Sequence, residues 1–216
     1  MREQAVRTFL IGYAVVIVPA LLAVLLTDRF DLHATINWHH TAPLDLLFKY
    51  GTHLADGWAP TILALLLLWK NWRAFLMVGA SVALSAIVAQ LLKHGFFPDM
   101  DRPSMFLERM PGVHLVAGVE MHHHNSFPSG HSTAAFSMCL ALAVLFAQRG
   151  PALVLAWVAA CLGLSRIYLS QHFTEDVVAG ATIGTLTAYL VYRWLYVSPF
   201  SVRSWLGRSP FRRQNQ

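Results

Sequence analysis

The chain has 216 residues, of which 56% are hydrophobic and only 12% are charged, and its formal net charge is +5. Soluble globular domains carry about 25% charged residues, so this composition argues against an ordinary soluble domain. Both cysteines, Cys139 and Cys161, lie inside apolar runs and have no partner at metal-site spacing. We therefore interpret them as packing residues and expect no disulfide framework.

Long apolar segments predict an all-α integral membrane protein with six transmembrane helices in one bundle. The run from Thr8 to Thr27 contains no charged residue, and no small-residue cleavage site follows it, so we interpret it as a retained first span. Pro60 stands near the start of the second span, where a first helical turn tolerates proline. The predicted spans cover approximately 8–27, 56–71, 74–92, 131–148, 152–169 and 177–196.

The remaining segments complete a single predicted membrane domain, 1–216. Segment 30–50 mixes apolar residues with histidines and Lys49, and we expect it to lie flat at the membrane interface. The loop 94–127 is long for a compact membrane protein, and we expect it to cover the functional site. Gly180 and Gly184 form a G-x-x-x-G pattern in the sixth span, which predicts close packing against another helix.

The charges differ between the two predicted sides of the membrane. The side with both termini carries ten of the 16 Lys and Arg residues and one of the 11 acids. The other side carries the remaining six Lys and Arg residues and ten acids. Lys and Arg in short loops mark the cytoplasmic face. We therefore predict a cell (inner) membrane protein with cytoplasmic termini. Its basic tail, 198–216, is expected to contact anionic lipid headgroups and not nucleic acid. The ten cations are Arg2, Arg7, Lys70, Arg73, Arg149, Arg193, Arg203, Arg208, Arg212 and Arg213.

Polar residues at the extracytoplasmic ends of the spans suit a bound phosphoryl group. Lys93, Arg102 and Arg166 are three cations at the edge of the predicted hydrocarbon, where ionisable groups are costly and indicate function. Arginine and lysine are the cations that bind phosphate oxygens. Ser129 and Gly130 stand where a helix is predicted to begin, and the free N–H groups of a helix start attract anions. All eleven histidines lie on this side or at span ends facing it.

Two histidines supply the chemistry that a phosphoryl group would need. His172 and Asp176 are four residues apart, so on a helix they would share a face. A carboxylate bonded to one ring nitrogen leaves the other nitrogen free to attack phosphorus. His131, beside the predicted anion site, is a candidate general acid for the leaving group.

These residues resemble the three motifs of the type 2 phosphatidic acid phosphatase (PAP2) superfamily, which are K-x6-RP, PSGH and SR-x5-H-x3-D. The second motif is complete at 128–131, and the third is complete from Ser165 to Asp176. The first motif runs from Lys93 to Arg102-Pro103 with eight intervening residues in place of six. The resemblance implies a phosphohistidine at His172, an orienting role for Asp176 and an acid role for His131. It assigns the phosphate to Lys93, Arg102, Ser129, Gly130 and Arg166, and it implies no metal and no cofactor.

The predicted function is hydrolysis of a phosphomonoester or diphosphate of a membrane lipid at the extracytoplasmic face. By resemblance, the candidate substrates are undecaprenyl diphosphate and phosphoglycerolipids such as phosphatidate or phosphatidylglycerophosphate. The alternatives are a lipid phosphotransferase, a vanadium haloperoxidase, which six spans argue against, and a non-enzymatic lipid or ion transporter. A metal site at His122, His123 and His124 is a further alternative, although three consecutive histidines converge on one ion only in an irregular loop.

Overall fold

A computed structural model describes residues 1–211, and helices dominate this part of the chain. Arg212 and Arg213, which belong to the predicted basic tail, lie outside the described residues. Short 3-10 turns cover Thr52–Ala55, Pro103–Arg109, Pro199–Val202 and Ser204–Gly207, and a π-helical turn covers Arg193–Val197. The α-helices are α1 (Arg2–Leu26), α2 (Arg29–Trp38), α3 (Ala42–Gly51), α4 (Trp58–Leu67), α5 (Trp72–Gly95), α6 (Gly130–Phe146), α7 (Arg149–Tyr168) and α8 (Thr174–Tyr192).

Polar side chains begin several of these helices by accepting hydrogen bonds from otherwise unpaired N–H groups. Asp28 accepts from the Phe30 N–H at 2.8 Å at the start of α2. Asn71 accepts from the Ala74 N–H at 2.8 Å at the start of α5. Such caps satisfy backbone donors that have no partner in a previous turn. They explain why α2 and α5 begin directly after short polar breaks in the apolar pattern.

Helix α6 lies at the centre of the bundle and contacts α1, α5, α7 and α8. Its apolar side chains Phe136, Leu140 and Val144 are almost completely buried. A Cβ atom at Gly180 would overlap the backbone oxygen of Ser129, and one at Gly184 would overlap backbone atoms of α6. The prediction of close packing at the G-x-x-x-G pattern is therefore confirmed, and the middle of α8 packs against the start of α6.

Three helices of the described residues are long and apolar enough to cross a membrane. They are α1, α5 and α7, with 25, 24 and 20 residues. Helices α4 and α6 are apolar but shorter, and α4 has only ten residues. Ten residues span about 15 Å, half of a hydrocarbon core of about 30 Å. The helix in the second predicted span is thus shorter than expected, because the extended backbone of Asp56 precedes it and a turn at 68–70 ends it. The count of six transmembrane helices stays a prediction.

The segment 30–50 forms two helices that pack at one end of the bundle. Asn37 of α2 donates to the backbone oxygen of Tyr168 at 3.1 Å, at the end of α7. The buried His33 ring lies 3.1 Å from the Ser170 hydroxyl. These contacts attach α2 to the end of α7 and to the loop between α7 and α8. This end of the bundle also carries the residues of the sequence motifs.

Candidate active site

The loop between α7 and α8 carries His172, which is only 1% exposed. The sequence analysis expected His172 and Asp176 to share a helix face, and this part of the interpretation is wrong. His172 precedes α8, which begins at Thr174, and Asp176 lies in the first helical turn. The backbone N–H of His172 donates to the Arg166 carbonyl at 3.1 Å, so the end of α7 sets the position of the ring.

Asp176 nevertheless lies beside the His172 ring. The Asp176 Oδ2 atom is 3.5 Å from His172 Nδ1, and both side chains are buried. The same oxygen accepts from the Phe173 N–H at 2.9 Å and from the Ser126 hydroxyl at 2.5 Å. Two groups thus hold this carboxylate oxygen beside the Nδ1 atom of the imidazole. This arrangement orients Nδ1 toward the carboxylate and leaves Nε2 as the nitrogen available for chemistry.

The charge environment of His172 keeps its imidazole unprotonated. Burial, followed by the positive charges of Arg102, Arg166 and Lys93, holds the pKa of His172 well below its usual value of 6.5. The three cations predicted from the sequence therefore all lie close enough to act on this ring. An unprotonated imidazole is the form that has a lone pair for attack on phosphorus.

Arg166 lies at the C-terminal end of α7 and is 6% exposed. Its Nη1 atom donates to the Thr52 hydroxyl at 2.8 Å. Its Nε atom is buried and has no hydrogen-bond partner among residues 1–211. An unpaired buried donor is costly, and a phosphate oxygen is a partner that would satisfy it.

Backbone oxygens of the histidine run hold Arg102. The Arg102 Nε atom donates to the His124 carbonyl at 2.9 Å, and its backbone N–H donates to the His123 carbonyl at 2.8 Å. Its Nη1 atom donates to the Gln171 carbonyl at 3.2 Å, beside His172. The histidine run is thus a backbone support for an arginine of the site.

The rings of the histidine run have separate partners. His124 Nδ1 lies 2.7 Å from Asp101, and His123 Nδ1 lies 3.0 Å from the Ser104 hydroxyl. Within the described part of the chain, no three His, Cys, Asp or Glu side chains come together in a way that could hold a metal ion. The alternative of a metal site at His122, His123 and His124 gains no support from this arrangement.

Lys93 reaches the same cluster although its motif is two residues longer than the family pattern. It lies in the last turn of α5 and is 9% exposed. The positive charge of Lys93 contributes to lowering the pKa of His172. The additional residues therefore belong to the connection between α5 and Arg102 and leave the lysine at the end of its helix.

At the start of α6, the Ser129 side chain caps the helix, so the remaining free donors are backbone N–H groups. The Ser129 hydroxyl is the N-cap and accepts from the Ser132 N–H at 3.3 Å. The Ser129 N–H donates to the Asp176 carbonyl at 3.0 Å, so it is not free, contrary to expectation. The next N–H groups, from Gly130 and His131, begin the helix and have no carbonyl in a previous turn. These two groups are the donors that an anion at the start of α6 would meet.

His131 has a partner that the sequence analysis did not identify. Its Nε2 atom lies 2.6 Å from Asp56 Oδ1, and the other Asp56 oxygen lies 2.7 Å from His53 Nδ1. Asp56 comes from the junction before α4, 75 residues earlier in the chain. The pairing leaves Nδ1 of His131 as the ring nitrogen that could face a substrate. A carboxylate at Nε2 also stabilises a protonated ring, as a general acid requires.

A cavity of about 340 Å³ reaches two of the predicted site residues, His131 and Arg166, whereas His172, Lys93 and Arg102 do not line it. His131, Arg166, Gln171 and Asp56 line it, together with Glu120 and His122 from the loop 94–127. Gln171 donates to the Glu120 carbonyl at 3.0 Å, which holds this loop over the site. The loop therefore covers the motif residues on one side. The cavity size suits a phosphoryl headgroup whose apolar part lies elsewhere.

Four further residues complete the site and were missing from the sequence interpretation. They are Asp56, Thr52, Ser126 and Gln171. Asp56 had a usable signal, because it is an acid at the first position of a predicted span on the same side as the motifs. Thr52 and Ser126 are ordinary hydroxyl residues in connecting segments, and only their contacts with Arg166 and Asp176 reveal them.

Comparisons with known proteins identify the family. The model of the PAP2 superfamily matches residues 74–199. The lipid A 4'-phosphatase of Porphyromonas gingivalis is 27% identical over 187 residues, which cover 83% of this chain and 76% of that protein. Lipid phosphate phosphatase 1 of Arabidopsis thaliana is 35% identical over 95 residues, and the match covers 38% of this chain and only 29% of that protein.

A solved structure has a similar fold. The crystal structure of Aquifex aeolicus LpxE superposes with a TM-score of 0.67 at 26% sequence identity. The superposition covers 76% of this chain and 94% of that one. The family match spans the region from α5 to the turn after α8, which contains all three motifs.

Proposed function

This chain belongs to the PAP2 superfamily, and we propose that it is a membrane lipid phosphatase that works through a phosphohistidine at His172. This proposal rests on one observation: three cations and the start of a helix surround a single buried, unprotonated imidazole. Phosphoryl transfer needs positioning and charge stabilisation above all, and this arrangement supplies both.

In the first step, His172 Nε2 attacks phosphorus while the bond between phosphorus and the leaving oxygen breaks. Lys93, Arg102 and Arg166 carry the charge of the phosphoryl oxygens, with the Gly130 and His131 N–H groups as further donors. The buried Nε of Arg166 gains the acceptor that it lacks among the described residues. Asp176 stabilises the ring as it becomes positively charged on forming the nitrogen–phosphorus bond.

His131 serves the leaving group and then the water. In the first step it gives a proton to the lipid oxygen, or to the lipid phosphate when the substrate is a diphosphate. In the second step it takes a proton from a water molecule whose oxygen attacks phosphorus, and the nitrogen–phosphorus bond breaks to release inorganic phosphate. The contact with Asp56 supports both roles, because it holds the ring and stabilises its protonated form.

The relatives widen the range of candidate substrates. Undecaprenyl diphosphate, phosphatidate and phosphatidylglycerophosphate remain candidates, and the likeness to a lipid A 4'-phosphatase adds the phosphates of lipid A. A lipid phosphotransferase would use the same first step with a lipid hydroxyl in place of water. A transporter would have no use for the His172–Asp176 pair, which makes it the weaker alternative.

The purified protein in detergent is expected to release inorganic phosphate from at least one of these four lipids. Phosphate release is measured directly, and an added lipid hydroxyl acceptor tests for phosphotransfer to a second lipid. A protein that binds the lipids but releases no phosphate and makes no transferred product would contradict the proposed activity. Transfer without release would instead identify a phosphotransferase.

The same assay tests the expectation that no metal is needed. Turnover is expected to persist in excess chelator, because three side-chain cations already balance the phosphoryl charge. Vanadate is expected to inhibit, since it adopts the five-coordinate geometry of phosphoryl transfer and transition-state analogues bind about 100-fold or more tighter than substrates. Loss of turnover in chelator, with recovery on adding zinc, magnesium or manganese, would show that the metal-free mechanism is wrong.

We also propose that the site faces the extracytoplasmic side and that both termini are cytoplasmic. In a Cys161→Ala background, a cysteine at the exposed Glu108 is expected to react with an impermeant thiol reagent added outside intact cells. A cysteine at the exposed Ser204 is expected to react only after the cells are opened. The physical reason is the excess of Lys and Arg on the side of the termini. The opposite labelling pattern would place the site in the cytoplasm.

A further inference from the structure

An apolar groove of about 410 Å³ runs along the outer surface of α7, with α3 and the following turn as its other wall. Almost all of its lining atoms are apolar, and Val154, Trp157, Leu47 and Leu54 leave large parts of their side chains exposed. The groove shares only Thr52 with the lining of the polar cavity described above. Its chemistry suits a hydrocarbon chain and not a headgroup.

The groove and the active-site cavity meet at Thr52. This residue lines both of them, and its hydroxyl accepts the hydrogen bond from Arg166 Nη1 at 2.8 Å. Ser165 lines the groove, and the next residue, Arg166, lines the cavity. Only the Thr52 side chain therefore separates one end of the apolar groove from Arg166, a cation of the proposed phosphate site.

The length of the groove fits one half of a bilayer. Its α7 wall extends from Val154 to Ser165. At 1.5 Å per residue this distance is about 16 Å, and half of a hydrocarbon core is about 15 Å. A chain that begins at the phosphate site and follows α7 would therefore end near the middle of the membrane.

We propose that this groove holds one acyl chain of the lipid substrate while the phosphate lies among Arg166 and the other cations. The inference rests on the proposed lipid phosphatase function. It adds that the α3–α7 side of the bundle is where the substrate chain lies, and that chain length contributes to substrate selection. A bulk membrane lipid, unrelated to the substrate, is the competing occupant.

An acyl chain bound in the groove is expected to act by positioning the headgroup of the substrate. A chain that moves from the bilayer into the groove leaves one apolar environment for another, so little hydrophobic free energy is gained. A chain held along α7 instead fixes the headgroup relative to His172, and orientation of this kind contributes to the rate. Substrates too short to reach the inner end of the groove should be insensitive to changes there.

Val154→Trp tests this directly, because it fills the inner end of the groove from an exposed position. The variant is expected to lower kcat/KM for dipalmitoyl phosphatidate about tenfold and to change that for dihexanoyl phosphatidate less than about twofold. Leu186→Trp is the matched control, since Leu186 is 56% exposed on α8 and lies outside the groove. It is expected to leave both values unchanged.

The results separate this inference from the function on which it rests. Equal losses on both phosphatidates in Val154→Trp, or no loss on either, contradict the groove as the chain site. No phosphate release from either phosphatidate by the unaltered protein contradicts phosphatidate phosphatase activity and leaves the binding measurement below to decide about the groove.

Cys161 provides that measurement in the unaltered protein. It is exposed in the groove, whereas Cys139 is buried. Dipalmitoyl phosphatidate at ten times its Kd is expected to slow alkylation of Cys161 by a maleimide about tenfold, in proportion to the free fraction. Dipalmitoyl phosphatidylcholine has the same chains but a diester headgroup, and it is expected to slow alkylation much less. Equal slowing by both lipids would mean that any membrane lipid fills the groove, which overturns the proposal.

Discussion

His172→Ala is expected to lower kcat by about 10⁴-fold or more and to abolish formation of a phosphoenzyme, because the proposed mechanism assigns the covalent bond to the Nε2 atom of His172. The loss should appear in kcat, while lipid binding through the three cations remains. Rapid quenching with labelled lipid phosphate measures both turnover and the trapped intermediate. The unaltered protein is expected to show acid-labile, base-stable label.

The control for this prediction is His39→Ala, which removes an exposed histidine at the end of α2 and is expected to leave turnover within about twofold. His172→Gln keeps much of the buried volume and separates loss of chemistry from loss of folding. A phosphoenzyme that still forms in His172→Ala would show that another residue is the nucleophile.

His131→Ala is expected to lower kcat/KM for a lipid phosphate by about 10²- to 10⁴-fold, the usual contribution of general acid catalysis. The loss of kcat/KM should be much smaller for a nitrophenyl phosphate ester, because a nitrophenolate leaves without a proton and kcat/KM reports only the steps before His131 acts as a base on water. Comparing both substrates with the same variant isolates proton transfer from binding. Equal losses on the two esters would contradict the acid role and favour a role in phosphate binding.

Asp56→Asn should reproduce the same pattern at smaller magnitude, because Asp56 acts through His131 and not on the substrate. We expect kcat/KM to fall about tenfold to 100-fold for the lipid phosphate and to change little for the nitrophenyl ester. Asp45→Asn is the matched control. Asp45 also pairs with a histidine, His114 at 2.9 Å, but on α3 and away from the cavity. If Asp56→Asn impaired both esters alike, its role would be structural.

Sequence reasoning predicted site residues best where the residues that act together are close to one another in the sequence. His172 and Asp176 were paired by their spacing, and the structure brings them together, although through a loop and a helix start in place of one helix face. Ser129 was placed correctly at a helix start, but its N–H is used by the Asp176 carbonyl. Spacing identifies neighbours, whereas the partner of each atom depends on the packing of other elements.

By itself, the sequence determined that the chain is helical and apolar, which residues form the motifs, and that Gly180 and Gly184 pack closely against another helix. These properties follow from hydropathy, spacing and the absence of a Cβ atom, all of which are local. Only the tertiary structure decided that Asp56 supports His131 and that Thr52 lies between Arg166 and an apolar groove. These partners are 75 and 114 residues apart in the chain, and such contacts depend on how the helices pack.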